Sequence, residues 1–238
     1  MIVSIMQPYF FPYIGYFQLM RQSDIFVFHD DVQYIKGGWV NRNRILRDGA
    51  PVRLTLPVRN ASADLAINQR RYRLDRGDIA SMLRRIKAAY RRAPQFAAVF
   101  PVVEELLNFA DENIAAFNIN LLERIAARLG IRTRFLVSSA MEKDNRLKGQ
   151  MRVVDMCRRL RATTYVNPIG GTMLYQPDAF AAAGIELRFL QPTPLSYPQF
   201  GAAPVADLSI IDALMFNDED AAAGLLDKYR LLAPPQAR

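Results

Sequence analysis

The 238 residues, 51% of them hydrophobic and 23% charged, have the composition of a water-soluble globular chain with one large domain or two small ones. There is no apolar run of about 18 residues to span a membrane, no basic start with an apolar leader of signal-peptide type, and a single cysteine, Cys157, so no internal disulfide framework; the cytoplasm is the expected compartment. Thirty-one Lys and Arg against 23 Asp and Glu leave a net charge of +8, which attracts nucleotides, sugar phosphates, nucleic acid or anionic lipid without choosing among them.

Residues 2–6 read as a buried strand. The stretch QPYFFPYIGYF, Gln7 to Phe17, follows with six aromatics and two prolines. Pro12 suits the first turn of a helix running to Arg21, and Asp24 to Phe28 reads as a second strand ending in His29-Asp30-Asp31. Strand, aromatic turn, helix and strand make a βαβ unit. Residues 32–78 are irregular apart from an alternating edge strand at 52–57, ended by Pro57. Ile79, Met82, Leu83, Ile86 and Tyr90 share one face of a helix at 79–92. A short helix near 102–109 and a longer one at 112–129 precede Gly130, a natural helix stop, and a strand at 131–137. A helix over 153–160, a strand over 163–166, the Asn167-Pro-Ile-Gly-Gly171 turn, a short helix after Pro177 and a strand at 185–190 come next. A Pro-rich loop, helices at 208–215 and 219–229, and a frayed tail from Ala233 complete the chain.

This alternation predicts an α/β fold: a Rossmann-like, mostly parallel sheet flanked by helices, with an irregular and β insertion at about 32–130 that also carries helices. The whole chain, 1–238, is expected to be a single domain. Ligands of such sheets bind at the carboxyl ends of the strands. That rule gathers the loops 7–15, 29–34, 138–149 and 167–175.

His29, the only histidine, stands at a strand end beside two carboxylates. It suits a general base oriented by Asp30 or Asp31, and equally a half-buried histidine capping a strand. Alternation puts His29 and Asp30 on opposite sides and lets Asp31 or Gln33 share the side of His29. A carboxylate beside the ring would raise its pKa. Asp30 and Asp31 could also meet a Mg²⁺ brought by a nucleotide; a zinc site lacks the ligands. Asn41-Arg42-Asn43-Arg44, with Lys36 upstream, places two guanidinia on one side of an extended segment, a fork for phosphate or carboxylate. Gly170 and Gly171, between Asn167 and Tyr175, could turn backbone N–H groups toward phosphate. Lys148 and Arg152 flank Gly149 and offer further anion contacts. Asp212, inside an apolar helix, reads as a partly exposed carboxylate or as the partner of a buried base or of the Asn loop. Cys157 reads as a buried thiol. The basic residues at 70–73 and 84–92 read as the wet face of a helix, and no reader motif supports nucleic acid as a partner.

The blocks QPYFFPYIGYFQL, DIFVFHDDVQYIKGGWVNRNRI, NPIGGTMLY and LSIIDALMFN occur in order across the chain and resemble the signatures of the WbqC-like family. That resemblance implies a setting in bacterial surface-polysaccharide (O-antigen type) biosynthesis. Within that setting the leading expectation is acyl or aminoacyl transfer to a nucleotide-linked amino sugar, with nucleotidyl or adenylate-forming chemistry, or ligand binding without catalysis, as alternatives. His29, Asp30 and Asp31 would be catalytic. Gln7, Tyr9, Tyr13, Gly15, Tyr16, Gln33, Lys36, Asn41, Arg42, Asn43, Arg44, Lys148, Asn167, Gly170, Gly171 and Tyr175 would hold the substrate, a nucleotide-sugar or other phosphorylated small molecule. No cofactor is firmly implied; an acyl donor, or ATP with Mg²⁺, is the candidate, and a homodimer is left open. Tyr13-Ile-Gly-Tyr16 also resembles the His-x-Gly-His turn of nucleotidylyl-transferring Rossmann-like domains, with tyrosines in place of both imidazoles. There the glycine would let the backbone approach the nucleotide.

Overall fold

The computed structural model describes residues 1–194, 197–201 and 203–235. Six strands form the main sheet. β1 (Ile2–Met6), β2 (Ile25–Phe28), β5 (Arg134–Val137), β6 (Thr164–Pro168) and β7 (Glu186–Pro192) are parallel, and β8 (Tyr229–Leu232) adds an antiparallel edge. The spatial order is β5-β2-β1-β6-β7-β8. From β1 the chain builds outward through β2 and β5, then returns to the other side of β1 with β6. The order therefore reverses between β1 and β6, and a crevice opens there outside their carboxyl ends.

Side chains alternate across this sheet. Val3, Ile5, Ile25 and Val27 face a core shared with Val153, Val154 and Cys157 of α5 (Gly149–Arg159) and with Phe180 of α6 (Pro177–Ala181). Phe26 and Phe28 face the opposite core, with Phe17 of α1 (Ile14–Gln22) and the segment between β2 and β5. Each fully buried side chain of this size contributes about 1.5–3 kcal/mol. Cys157 is a buried thiol pushed up to about 12 by its apolar surroundings.

The segment between β2 and β5 holds a hairpin and three helices. β3 (Arg42–Arg47) pairs antiparallel with β4 (Ala50–Thr55). β3 falls where an irregular stretch was expected. Asp48 and Gly49 both have positive φ, 52° and 77°, the conformation that a two-residue Asp-Gly hairpin turn favours; this signal was present in the sequence. α2 (Arg76–Tyr90), α3 (Phe96–Leu107) and α4 (Ile114–Arg128) follow. α4 starts at Asn113, whose side chain accepts from the N–H groups of Ala115 and Ala116. α3 starts six residues before the expected 102. α7 (Ile210–Phe216) is where its apolar spacing puts it, but α8 (Glu219–Leu225) is shorter than the expected 219–229. Its tail instead pairs with the open edge of β7, forming β8. Pro12 lies outside α1 because Phe11, with φ 40°, turns the chain just before it. No helix among the described residues is long and apolar enough to cross a membrane.

Candidate functional site

The crevice at the β1/β6 reversal has a volume of about 450 Å³. Its floor is the corner after β1. Phe11 is 1% exposed yet sits at positive φ, a conformation that costs of order 1–3 kcal/mol and persists only when its surroundings fix it. They do so through backbone carbonyls. The Asn43 Nδ2 donates to the carbonyls of Phe10 and Phe11, the Ser209 Oγ donates to that of Phe11, and the Ile210 N–H donates to that of Pro12. Asn118 of α4 reaches from below to the carbonyls of Pro8 and Val40, and the Tyr72 hydroxyl holds Val40 as well. Thus Asn43, on the crevice wall, is a clamp for the corner.

Tyr9, Tyr13 and Trp39 bring three rings to the crevice, and Arg44, Gly170, Gln191 and Asp207 bring polar groups. The Arg44 guanidinium lies 5.7 Å from the Trp39 ring centroid and donates through Nη2 to the Asp207 carbonyl at 3.1 Å. Trp39 is 44% exposed. Burial, and then the nearby Asp207 carboxylate, push the Tyr13 phenol up to about 12. At Gly15 the Tyr13 ring takes the place of a side chain: an added Cβ would stand 2.3 Å from it. The space that the glycine leaves is filled by the chain's own Tyr13, where the resemblance implied approach by a nucleotide. Tyr16 is buried and donates to the Gln7 carbonyl, so both support the corner from inside. A second cavity of about 280 Å³ continues past Tyr13, Pro192 and Asp207 toward Tyr197 and Gln199. Behind it Asp212 is fully buried. It accepts from the Tyr90 and Tyr197 hydroxyls and from the Gln199 amide, and burial raises its pKa. Among the described residues no base pairs with it, and it is not partly exposed, unlike those expectations.

On the far wall, the β6 strand runs into a 3₁₀ turn, Ile169–Leu174. Gly170 lines the crevice. Gly171 does not: a Cβ there would stand 1.9 Å from the Asn167 amide nitrogen. Asn167 is buried and accepts from the Tyr165 hydroxyl, which also meets that of Tyr175. Asn167, Gly171 and Tyr175 therefore shape the turn from behind.

His29, Asp30 and Asp31 form a separate cluster outside the carboxyl ends of β2 and β5, and none of them lines the crevice. Asp30 is 2% exposed and accepts from the Ser139 N–H, the Ser139 hydroxyl and the Asn68 amide. Asp31, beyond the end of β2 at Phe28, turns to the other side. Its carboxylate meets Lys143 at 2.9 Å, Arg152, and the Ser138 hydroxyl at 2.7 Å. Burial pushes its pKa up, but the Lys143 and Ser138 hydrogen bonds and the Arg152 charge outweigh it and hold the carboxyl low. The His29 Nε2 is 4.0 Å from the Asp31 Oδ1, buried, and has no hydrogen-bond partner among the described residues. Its pKa is lowered to about 4 rather than raised. Burial leads, and the Arg152 and Lys143 charges work against Asp31 and Asp30. Among the described residues no group of three or more His, Cys, Asp and Glu side chains is placed to hold a metal ion.

The expected Arg42–Arg44 fork is divided. Arg42 lines a different cleft, of about 670 Å³, with Gln33, Lys36 and Asn41. Asn41 there is buried between the Tyr34 hydroxyl and the Leu56 carbonyl. Lys148 is exposed just before α5, and Arg152 turns inward to Asp31. Several contributors escaped sequence reasoning: Lys143, Asn118, Gln191, Asp207 and Arg59; Arg70, read as the wet face of a helix, lies before α2 instead, over the Tyr34 ring in the second cleft. Asn118 had a readable signal, an amide amid the apolar face of an amphipathic helix.

The model of the WbqC-like protein family matches residues 7–223. A protein of Mycobacterium tuberculosis, Rv1507c, described as uncharacterized, is 32% identical over 168 residues, covering 69% of this chain and 71% of its own. No solved structure matches the chain. The chain belongs to the WbqC-like family.

Proposed function

We propose that this WbqC-like protein binds a nucleotide-linked amino sugar in the β1/β6 crevice and transfers an acyl or aminoacyl group to the sugar amine, as a step in surface-polysaccharide biosynthesis. The observation that carries the reading is the crevice itself. Three ring faces, a guanidinium and a glycine backbone converge where doubly wound sheets bind ligands. Aromatic faces suit a base and a sugar ring. Arg44 and the N–H of Gly170 are the groups for the diphosphate. The Asp207 carboxylate, close enough to Tyr13 to act on its phenol, suits the amine: it takes one proton from the ammonium form, the freed amine attacks the acyl carbon of an activated donor, and the donor's leaving group departs with its bonding electrons and the second N–H proton. This gives Asp207 the duty that the sequence suggests for His29, whose imidazole is outside the crevice. The nucleotidyl-transfer alternative needs backbone approach at Gly15, where the Tyr13 ring stands.

Trp39 is the only tryptophan, so ligand entry is read by its fluorescence. Titration with UDP-linked amino sugars should quench it saturably. Arg44→Ala should weaken binding by roughly 10- to 100-fold, as a charge-assisted hydrogen bond of about 1.5–3 kcal/mol implies. No binding by the wild type, or equal binding by Arg44→Ala, would remove the crevice reading.

A further inference from the structure

The segment 36–44 walls off two clefts. Trp39 and Arg44 line the crevice, and Lys36, Gly37 and Arg42 line the cleft of about 670 Å³. This second cleft is basic. Lys36, Arg42, Arg59 and Arg70 line it, and no carboxylate does among the described residues. Arg59 is neutralised from outside by Glu112, at 2.6 Å. The other three cations have no acidic partner within 4.0 Å among the described residues.

Two of the guanidinia are held in place by backbone. Arg42 donates through Nε to the Gly38 carbonyl at 3.0 Å. It packs on Gly37, whose φ of 91° and missing side chain make room: a Cβ there would stand 2.8 Å from the Arg42 Nη2. Arg70 lies 4.4 Å over the Tyr34 ring and donates through Nη1 to the Ser62 carbonyl at 3.0 Å, while its buried Nε has no partner among the described residues. Fixing like charges around one cavity without counter-charge is unfavourable until an anion enters. Positioned guanidinium forks match the paired oxygens of phosphates. The volume lies within the range of small-molecule sites.

We infer that the Lys36–Arg42–Arg70 cleft is a second ligand site, separate from the crevice, for a small molecule carrying adjacent phosphates, a di- or triphosphate. Three unneutralised cations suit more charge than one phosphate carries. This inference stands without the reading of the crevice, because none of its three cations lines the crevice.

The test is calorimetric titration of the full chain with pyrophosphate, ATP and inorganic phosphate, without metal. Pyrophosphate and ATP should bind, both more tightly than phosphate, and the affinity should fall as salt is raised. Arg42→Ala and Arg70→Ala should each lose about tenfold or more. Lys36→Ala, at an exposed position that folding does not need, should lose severalfold and decides the matter if the arginine variants fail to fold. Arg84→Ala, exposed on α2 and lining neither cleft, should bind pyrophosphate like the wild type. Equal affinity for phosphate and pyrophosphate would overturn the ligand class. Absence of wild-type binding at millimolar pyrophosphate, unaltered binding by Lys36→Ala and both arginine variants, or a loss confined to Arg44→Ala would each overturn the site.

Discussion

The crevice and the His29 cluster lie outside the carboxyl ends of neighbouring strands, and they treat polar groups in opposite ways. Around His29 the charged groups answer one another: Asp31 meets Lys143 and Arg152, and Asp30 meets Ser139 and Asn68. In the crevice the polar groups fix the backbone from behind, through Asn43, Ser209 and Asn118, and leave ring faces and one guanidinium on the wall. A side chain whose partners are all internal can hold a loop but offers little to a ligand. Asp30 and Asp31, which look catalytic in the sequence, are thus engaged within the protein, while the His29 Nε2 has no hydrogen-bond partner among the described residues. The aromatic corner presents the rings of Tyr9 and Tyr13 to the cavity.

That contrast can be broken most directly at Asp31. Asp31→Ala would leave Lys143, whose side chain is 2% exposed, and Arg152 without their counter-charge. Removing one partner of a buried ion pair typically costs about 3–5 kcal/mol. Denaturant unfolding should show a loss of that size with the crevice affinity of the folded fraction unchanged. A loss under about 1 kcal/mol, or an intact fold with abolished ligand binding, would reverse the assignment of the two regions.

The next effect is in acid. The folded His29 pKa of about 4 lies below the ordinary value of 6.5. Between these values the unfolded chain binds the proton and the native chain does not, so stability falls as pH falls. The contribution is complete above pH 6.5 and is lost progressively toward pH 4, up to about 3 kcal/mol at 1.36 kcal/mol per pKa unit. Asp31, held low by Lys143 and Arg152, stays ionised across this window. His29→Gln, which cannot titrate, should flatten that part of the stability curve. Parallel curves for wild type and variant between pH 4 and 6.5 would mean that the imidazole is protonated and paired in the fold.

Much of the fold was legible because periodicity and strand alternation report burial directly. β1, β2 and the helices of the parallel units lie close to where their apolar spacing puts them, and the loops at the strand ends do assemble on one edge. Pairing was less legible. β3 depended on the Asp48-Gly49 turn, and β8 on an open sheet edge that no local pattern announces. At the candidate site the sequence marked Tyr9, Tyr13, Arg44 and Gly170, all on the crevice wall, but it could not tell which polar residues would face each other. Arg42 and Arg44 look like one fork on an extended strand, yet each lines its own cleft. Asp207 and Gln191 carry no local signal, since only the return of β7 and the following loop brings them to β1.

The smallest expected change in stability is also the sharpest separation of the two regions. Gly15 is buried at the start of α1, and its backbone is not in the left-handed region. Alanine there gains up to about 1 kcal/mol of helix propensity. Its methyl group would stand 2.3 Å from the Tyr13 ring. That ring is the movable end of a side chain on the crevice wall, so it can swing away without moving the backbone. Gly15→Ala should therefore unfold within about 1 kcal/mol of the wild type, leave the acid response of His29 unaltered, and weaken crevice ligands by displacing one ring face. Stacking on an aromatic side chain is worth about 1–3 kcal/mol, so the loss in affinity should run from about fivefold to a hundredfold, read from Trp39 fluorescence. Unchanged affinity would take Tyr13 out of the binding wall. A loss of several kcal/mol in stability would show that the corner is packed too tightly to yield, and would make it core rather than site.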